Sequence, residues 1–219
     1  ISILMEAETK EIFPPIADGF QSVFVSGGAR VDGRAMRTAL LEAAQKHGAR
    51  WLNGEAQFIH VGRKVEGVRV HGQSLYADQV IVTAGAWSER LLEPLGIVFD
   101  ITYQKGQLLH LKLEGVNTNQ WPVVMPPSDQ HILAFDDGRL VAGATHEDNT
   151  GFDLRATAEG VHDILTKALT FAPGLANSTV VETRIGFRPF TPGFLPVFGR
   201  LPEAEGILVG NGLGASGLT

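Results

Sequence analysis

The sequence predicts two interleaved architectures, an α/β layer and a mostly antiparallel α+β sheet carrying helices. Three observations predict it. The apolar runs Val80-Ile81-Val82 and Ile207-Leu208-Val209 each end in a glycine turn, as strands buried on both faces of a parallel sheet do. From Tyr103 onward, "QLLHLKL" and "HILAFDDGRLVAGA" alternate apolar with polar residues, the period of half-buried antiparallel strands. A helical period occurs in each part.

Taken in order, residues 1–20 read as a short helix followed by the turn Phe13-Pro14-Pro15-Ile16, and "SVFVSGGARVDG" as a strand running into glycines. Ala35, Met36, Ala39, Leu40, Ala43 and Ala44 repeat at helical spacing from Gly33, and Gly48 is placed to stop that helix. "ARWLN" is predicted as a strand, and "QFIHVGRKVEGVRVHGQSLYA" as a small antiparallel meander. Asp137-Gly138 between apolar runs signals a hairpin, which the carboxylates of Asp136 and Asp137 most simply serve. A second helix runs from Ala156 towards Phe171, ended by Pro173-Gly174. The α/β layer is thus expected over residues 28–98 and 195–219, the antiparallel part over 1–27 and 99–194.

With 219 residues the chain can bury a sizeable core. Its 44% hydrophobic and 19% charged composition excludes a disordered chain. A net charge of −6 argues against nucleic acid or an anionic membrane as the main partner. No apolar run is long enough to span a bilayer and no signal-peptide pattern opens the chain, so a cytoplasmic protein without membrane insertion is expected. Without cysteine there is no disulfide or thiol chemistry, and the seven histidines show no metal-ligand spacing. No nucleophile elbow is present.

Three stretches carry the chemistry. Gly212-Leu213-Gly214-Ala215-Ser216-Gly217 satisfies G-x-G-x-x-G directly after an apolar run, a pattern whose amides can approach a pyrophosphate. The chain stops at Thr219, so the βαβ context that would confirm the fingerprint is missing, and a plain glycine turn stays open as the alternative. Ser216 or Thr219 is placed to cap a helix beyond the end. Thr83-Ala84-Gly85-Ala86-Trp87-Ser88 is a second glycine turn at a strand's carboxyl end, where ligands of open α/β sheets sit, with Ser88 as a helix cap. Arg188, among Phe187, Pro189 and Phe190, reads either as an ion-paired arginine or as a fork that holds a carboxylate.

"GGARVDGRAMRTALLEAAQKHGAR", "VIVTAGAWSERLLEPLGI", "GRLVAGAT", "GFRPFTPGFLPVFGR" and "GILVGNGLGASGLT", in this order, resemble the D-amino-acid oxidase family of FAD-dependent oxidoreductases, nearest to glycine oxidase-like members. The resemblance runs from about Phe13 to Thr219. It implies that residues 28–98 and 195–219 are part of an FAD/NAD(P)-binding Rossmann-like domain, joined to a substrate-binding sheet. It further implies that the pyrophosphate-binding glycines lie upstream of Ile1, so the chain is expected to be a fragment. The closing turn then becomes a second flavin contact.

By the same resemblance Arg188 binds the substrate carboxylate. Ala56, Thr83, Ala84, Gly85, Trp87, Gly186, Leu213, Gly214, Ala215, Ser216, Gly217, Leu218 and Thr219 contact FAD. No side chain is assigned as a catalytic acid or base, and no metal is expected. One departure is Ala215, where glycine oxidases carry an arginine. The implied reaction moves a hydride from the Cα of a small amino acid (a D-amino acid, glycine or an N-substituted glycine) to flavin. The alternatives are oxidation of a 2-hydroxy acid, modification of a transfer-RNA base, which the acidic charge disfavours, and a non-catalytic fragment that does not retain flavin. Exposed strand edges are expected to favour homo-oligomers.

Overall fold

The computed structural model describes residues 1–215. In chain order it contains β1 (Ser2–Leu4), α1 (Glu6–Ile12), β2 (Ser22–Phe24), α2 (Gly33–Lys46), β3 (Ala56–Val61), β4 (Lys64–Val70), β5 (Gln73–Tyr76), β6 (Val80–Val82), α3 (Ser88–Leu92), β7 (Thr102–Lys112), β8 (His131–Ala134), β9 (Arg139–Gly143), α4 (Ala158–Phe171), β10 (Thr179–Phe190), β11 (Val197–Arg200) and β12 (Ile207–Asn211). The fold is mixed: antiparallel sheets, one parallel strand pair and few helices. No described helix is long and apolar enough to cross a membrane.

Two compact units divide the chain, residues 1–31 with 105–186 and residues 32–104 with 187–219. The borders expected from sequence lay at 27/28, 98/99 and 194/195. Those of the compact units fall at 31/32, just before α2, and at 104/105 and 186/187, inside the long strands β7 and β10, which composition does not mark as boundaries.

The first unit is built on a sheet of order β10-β7-β9-β8. Alternation along β7 turns Leu109 and Leu111 to the core, opposite Ala142 and Leu140 of antiparallel β9. Helix α4 packs against β9 and adds Ile164, Ala168 and Phe171 to a cluster completed by Phe13, Ile132 and Leu175. Each fully buried aliphatic side chain there contributes about 1.5–3 kcal/mol. Thr157 caps α4 by accepting from the Gly160 N–H. The β8–β9 hairpin turns at Asp136–Gly138, with Asp137 and Gly138 at φ 59° and 71°. The short helix expected within residues 1–20 is α1, which ends before the turn at Phe13–Ile16; β1, which was not expected, precedes it and pairs antiparallel with β2.

In the second unit β12 lies between β11 (antiparallel) and β6 (parallel), with Ile207 opposite Val80 and Val209 opposite Val82. The predicted meander is β3-β4-β5. Val65, Val82, Leu92, Leu95, Ile207 and Val209 form the core. Burial on both faces of the parallel strands is not what the structure has: Val82 is buried whereas Ile81 is 67% exposed, because the described elements cover one face. Helix α2 forms where expected, capped by Asp32 accepting from Arg34 and Ala35, and Gly48 follows at φ 92°. None of its residues is buried, so its apolar side stands open. "ARWLN" is not a strand: residues 49–53 have no ladder, and the His71 ring meets the Asn53 carbonyl at 2.9 Å instead.

Candidate active site

Parallel pairing of β6 with β12 sets their carboxyl ends side by side, so the two glycine bends that follow are neighbours. The first bend, residues 83–88, is a short 3-10 turn with Gly85 at φ 53°, closed by the Trp87 N–H donating to the Ala84 carbonyl at 3.0 Å. Thr83 and Trp87 are exposed, Ala84 and Gly85 half-buried, Ala86 and Ser88 buried. The second bend follows Asn211, with Gly212 and Gly214 at φ 78° and 52° and Leu213 and Ala215 exposed. Ser216, Gly217, Leu218 and Thr219 lie outside the described residues.

The end of β10 touches both bends. Pro189 reaches within 4.0 Å of a Cβ built on Gly85, and the Pro189 carbonyl accepts from the Gly214 N–H at 3.0 Å. Phe187 meets Trp87 and Tyr103 edge to face at 5.8 and 5.7 Å. Arg188, between these contacts in sequence, is half-buried, and its Nη1 donates to Gln104 Oε1 at 3.3 Å. Burial lowers the guanidinium pKa, yet an arginine stays charged.

Asn211 fastens one bend to the other. Its Nδ2 donates to the Gly85 carbonyl at 2.9 Å and to Ser88 Oγ at 2.6 Å, and its Oδ1 accepts from the Gly212 N–H at 2.7 Å. Ser88 was expected to cap a helix. It is the first residue of α3, and its hydroxyl serves this clamp instead. Sequence reading missed Asn211, although a signal was present. Strand period 2 puts it on the buried face with Ile207 and Val209, where a polar side chain must find partners.

Of the other sequence candidates, Ala56 is half-buried at the start of β3, in the meander rather than in either bend. Gly186 is exposed and belongs to the other unit. Among the described residues no group of three or more His, Asp or Glu side chains is arranged to hold a metal ion. An open crevice of about 1050 Å³, lined by Lys64, Tyr76, Asp78, Arg200 and Glu205, lies at the opposite, amino-terminal ends of β6 and β12. That is the end that ligands of such sheets do not use.

The two bends, the rings of Trp87, Tyr103 and Phe187 and the Arg188 guanidinium thus lie together within the second unit. The whole chain, residues 1–219, matches the FAD dependent oxidoreductase (DAO) family, and the protein belongs to that family. It is 55% identical to the uncharacterized oxidoreductase YurR of Bacillus subtilis, over all of this chain and 59% of that protein. Its fold superimposes on iminodiacetate oxidase (IdaA) from Chelativorans sp. BNC1 with TM-score 0.93 and 44% identity, over 99% of this chain and 59% of that one. Glycine oxidase from Geobacillus kaustophilus follows with TM-score 0.84 and 27% identity, over 99% and 58%. The chain therefore spans about three fifths of the length of these relatives.

The described residues fit the ring end of a flavin. Trp87, Leu213, Phe194, Leu195 and Phe198 are exposed apolar side chains on or next to the bends, and a monomer rarely leaves so much apolar surface uncovered without a use for it.

Proposed function

We propose that this chain forms the flavin-ring and substrate-anchoring part of an FAD-dependent oxidoreductase that oxidises a small amino acid at Cα, with N-substituted glycines the preferred class. The observation that carries the proposal is the meeting of both glycine bends on Pro189, one residue from Arg188. The likeness to an iminodiacetate oxidase favours an N-substituted glycine. So does Ala215, a small residue in the second bend that leaves room beside an amine.

Bound FAD supplies the hydride acceptor. The chain's own residues bind and orient. Thr83, Ala84, Gly85, Trp87, Leu213, Gly214 and Ala215 hold the ring through two bends whose spacing Asn211 fixes. Ala56 and Gly186 contribute further cofactor contacts, as do Ser216, Gly217, Leu218 and Thr219. Arg188 takes the carboxylate, which turns the Cα–H of the substrate towards the ring. Rate comes from this orientation. No protein base is required when the amine arrives unprotonated.

The test is Arg188→Ala in the FAD-loaded protein. Losing a charge-assisted anchor costs about 2–4 kcal/mol, so KM should rise roughly 30- to 1000-fold. An unchanged KM would refute the anchor. Full-length protein without yellow flavin absorbance after incubation with FAD would refute the cofactor role of the bends.

A further inference from the structure

We infer that Phe194 is a specificity-determining residue: with Phe190 it forms an aromatic ledge that receives the N-substituent of the substrate and selects apolar substituents over charged ones. This deepens the proposed function and rests on the anchoring role given to Arg188 above.

Phe194 is held in a backbone conformation that its own side chain disfavours. It ends the short turn Pro192–Phe194 after β10, where Gly193 and Phe194 have φ 71° and 58°. Glycine adopts that region freely, whereas a bulky L residue does so at a cost. The turn is locked: the Thr191 carbonyl accepts from the Phe194 N–H at 3.0 Å, and the buried Thr191 hydroxyl donates to the Leu195 carbonyl. The Phe194 ring meets Phe190 edge to face at 5.3 Å, yet the residue stays 76% exposed and Leu195 beside it 68%. A costly backbone that displays a ring outward, instead of burying it, marks a residue whose use is contact with a ligand.

The position of that ring indicates which part of the ligand it meets. Arg188 and Phe190 are two positions apart on β10, hence on one face of the strand and about 6.6 Å apart along it. The Phe190 ring lies against Gly214 and the Thr191 hydroxyl against Gly212, so the ledge is seated on the second bend. All these residues belong to the second unit. A glycine derivative whose carboxylate is held at Arg188 carries its nitrogen substituent only a few bonds away, within reach of Phe190 and Phe194. Residues 189–199 contain no charged side chain. An apolar substituent would therefore gain contact there, whereas a second carboxylate would lose water and find no ion-pair partner in this segment.

The FAD-loaded full-length protein is compared with Phe194→Gly and Phe194→Asn. Both replacements accept positive φ and so remove the ring while keeping the turn. Calorimetry reads acetate and two unreactive ligands with sulfur in place of the amine, (benzylthio)acetate and thiodiacetate. The parent protein should bind (benzylthio)acetate at least about tenfold more tightly than thiodiacetate. Phe194→Gly should weaken (benzylthio)acetate roughly tenfold, the value of one partly covered ring, and move acetate less than about twofold. kcat/KM for N-benzylglycine should fall by the same factor, with that for glycine unchanged.

A parent protein that binds thiodiacetate as tightly as (benzylthio)acetate overturns the inference, and so does a Phe194→Gly variant that binds both as the parent does. Equal weakening of acetate and (benzylthio)acetate would make the role structural and would also overturn it. Arg188→Ala separates the two readings. If it loses acetate while Phe194→Gly keeps the parent's preference, the ledge falls and the anchor stands. If Arg188→Ala binds acetate as the parent does, both fall together. Should Phe194→Gly fail to fold, Phe194→Asn decides by the same criteria.

Discussion

Replacing Asn211 by alanine tests whether the two bends are held as one unit. The side chain is 4% exposed and makes three hydrogen bonds, to the Gly85 carbonyl, Ser88 Oγ and the Gly212 N–H. A net hydrogen bond is worth about 1 kcal/mol, and a buried group left without a partner costs about 1–3 kcal/mol more. Ser88 Oγ loses a donor to one lone pair and keeps its own O–H free to donate elsewhere, but the Gly85 carbonyl and the Gly212 N–H are fixed backbone groups. Asn211→Ala should therefore lose about 3–5 kcal/mol in denaturant unfolding, against about 1 kcal/mol for Ser88→Ala. The double variant should show a coupling of roughly 1 kcal/mol, as contacting partners do. Amide exchange of Gly212 should accelerate in Asn211→Ala before global unfolding, because its acceptor is gone. Asn211→Asp keeps that acceptor but sets a carboxylate oxygen against the Gly85 carbonyl, and should be at least as destabilising. A loss under about 1 kcal/mol for Asn211→Ala, with unchanged Gly212 exchange, would refute the clamp.

Lys105 is 1% exposed, lies 3.7 Å from both Glu147 and Asp153, and donates to the Arg155 carbonyl at 2.9 Å. Lys105→Met should lower stability by about 1–3 kcal/mol, because Glu147 and the Arg155 carbonyl each lose a buried charged donor while Asp153 keeps Arg155. Thermal unfolding checks it, and Glu147→Gln in the same background should restore part of the loss. Stability should also fall with acid. The Arg155 side chain beside Asp153 holds its carboxyl well below the ordinary carboxylate range, and Lys167 lowers that of Asp129. A depressed folded pKa stabilises above the unfolded value of about 4 and is lost as pH falls through that range towards the folded pKa. Denaturation midpoints measured from neutral pH downward should drop below about pH 5, and Asp153→Asn should flatten the slope. In the second bend, a Cβ on Gly214 would stand 2.4 Å from Phe190 Cε1. Gly214→Ala should displace Phe190, two residues from Arg188, and raise KM more than it lowers kcat in steady-state kinetics.

Local chemistry made much of this fold legible. The cap at Asp32, the alanine period and Gly48 define α2, and Asp137-Gly138 defines a turn that needs two positive φ angles. What covers an element was not legible. Periodicity says which side of α2 is apolar, but coverage depends on distant chain. Residues 49–53 were misread because Trp51 and Leu52 favour a strand. Their neighbour Gly54, at φ 144°, packs against the His71 ring where a Cβ would clash at 2.5 Å, and that contact replaces a ladder. The site divides the same way. Strand-to-glycine bends and an arginine among phenylalanines are visible in short windows. Gln104 meets Arg188 across 84 residues and Asn211 meets Gly85 across 126, so nothing local announces either pair.

The closing glycines show how one motif can satisfy two different physical demands. A G-x-G-x-x-G is ordinarily explained by amides approaching phosphate. Here Gly212 is required because a Cβ would meet Thr191 Oγ1 at 2.1 Å, and Gly214 because a Cβ would meet Phe190. Both positions also have positive φ, which an L side chain adopts at a cost. The absence of side chains thus serves the packing of the second bend onto the strand that carries Arg188, and the Gly214 N–H is already committed to the Pro189 carbonyl. A bend tied in this way cannot move independently of the arginine. Under the proposed function, coupling the surface that would meet the ring to the group that would meet the carboxylate is what an orientation-driven oxidation requires, since the distance between them sets where the Cα–H falls.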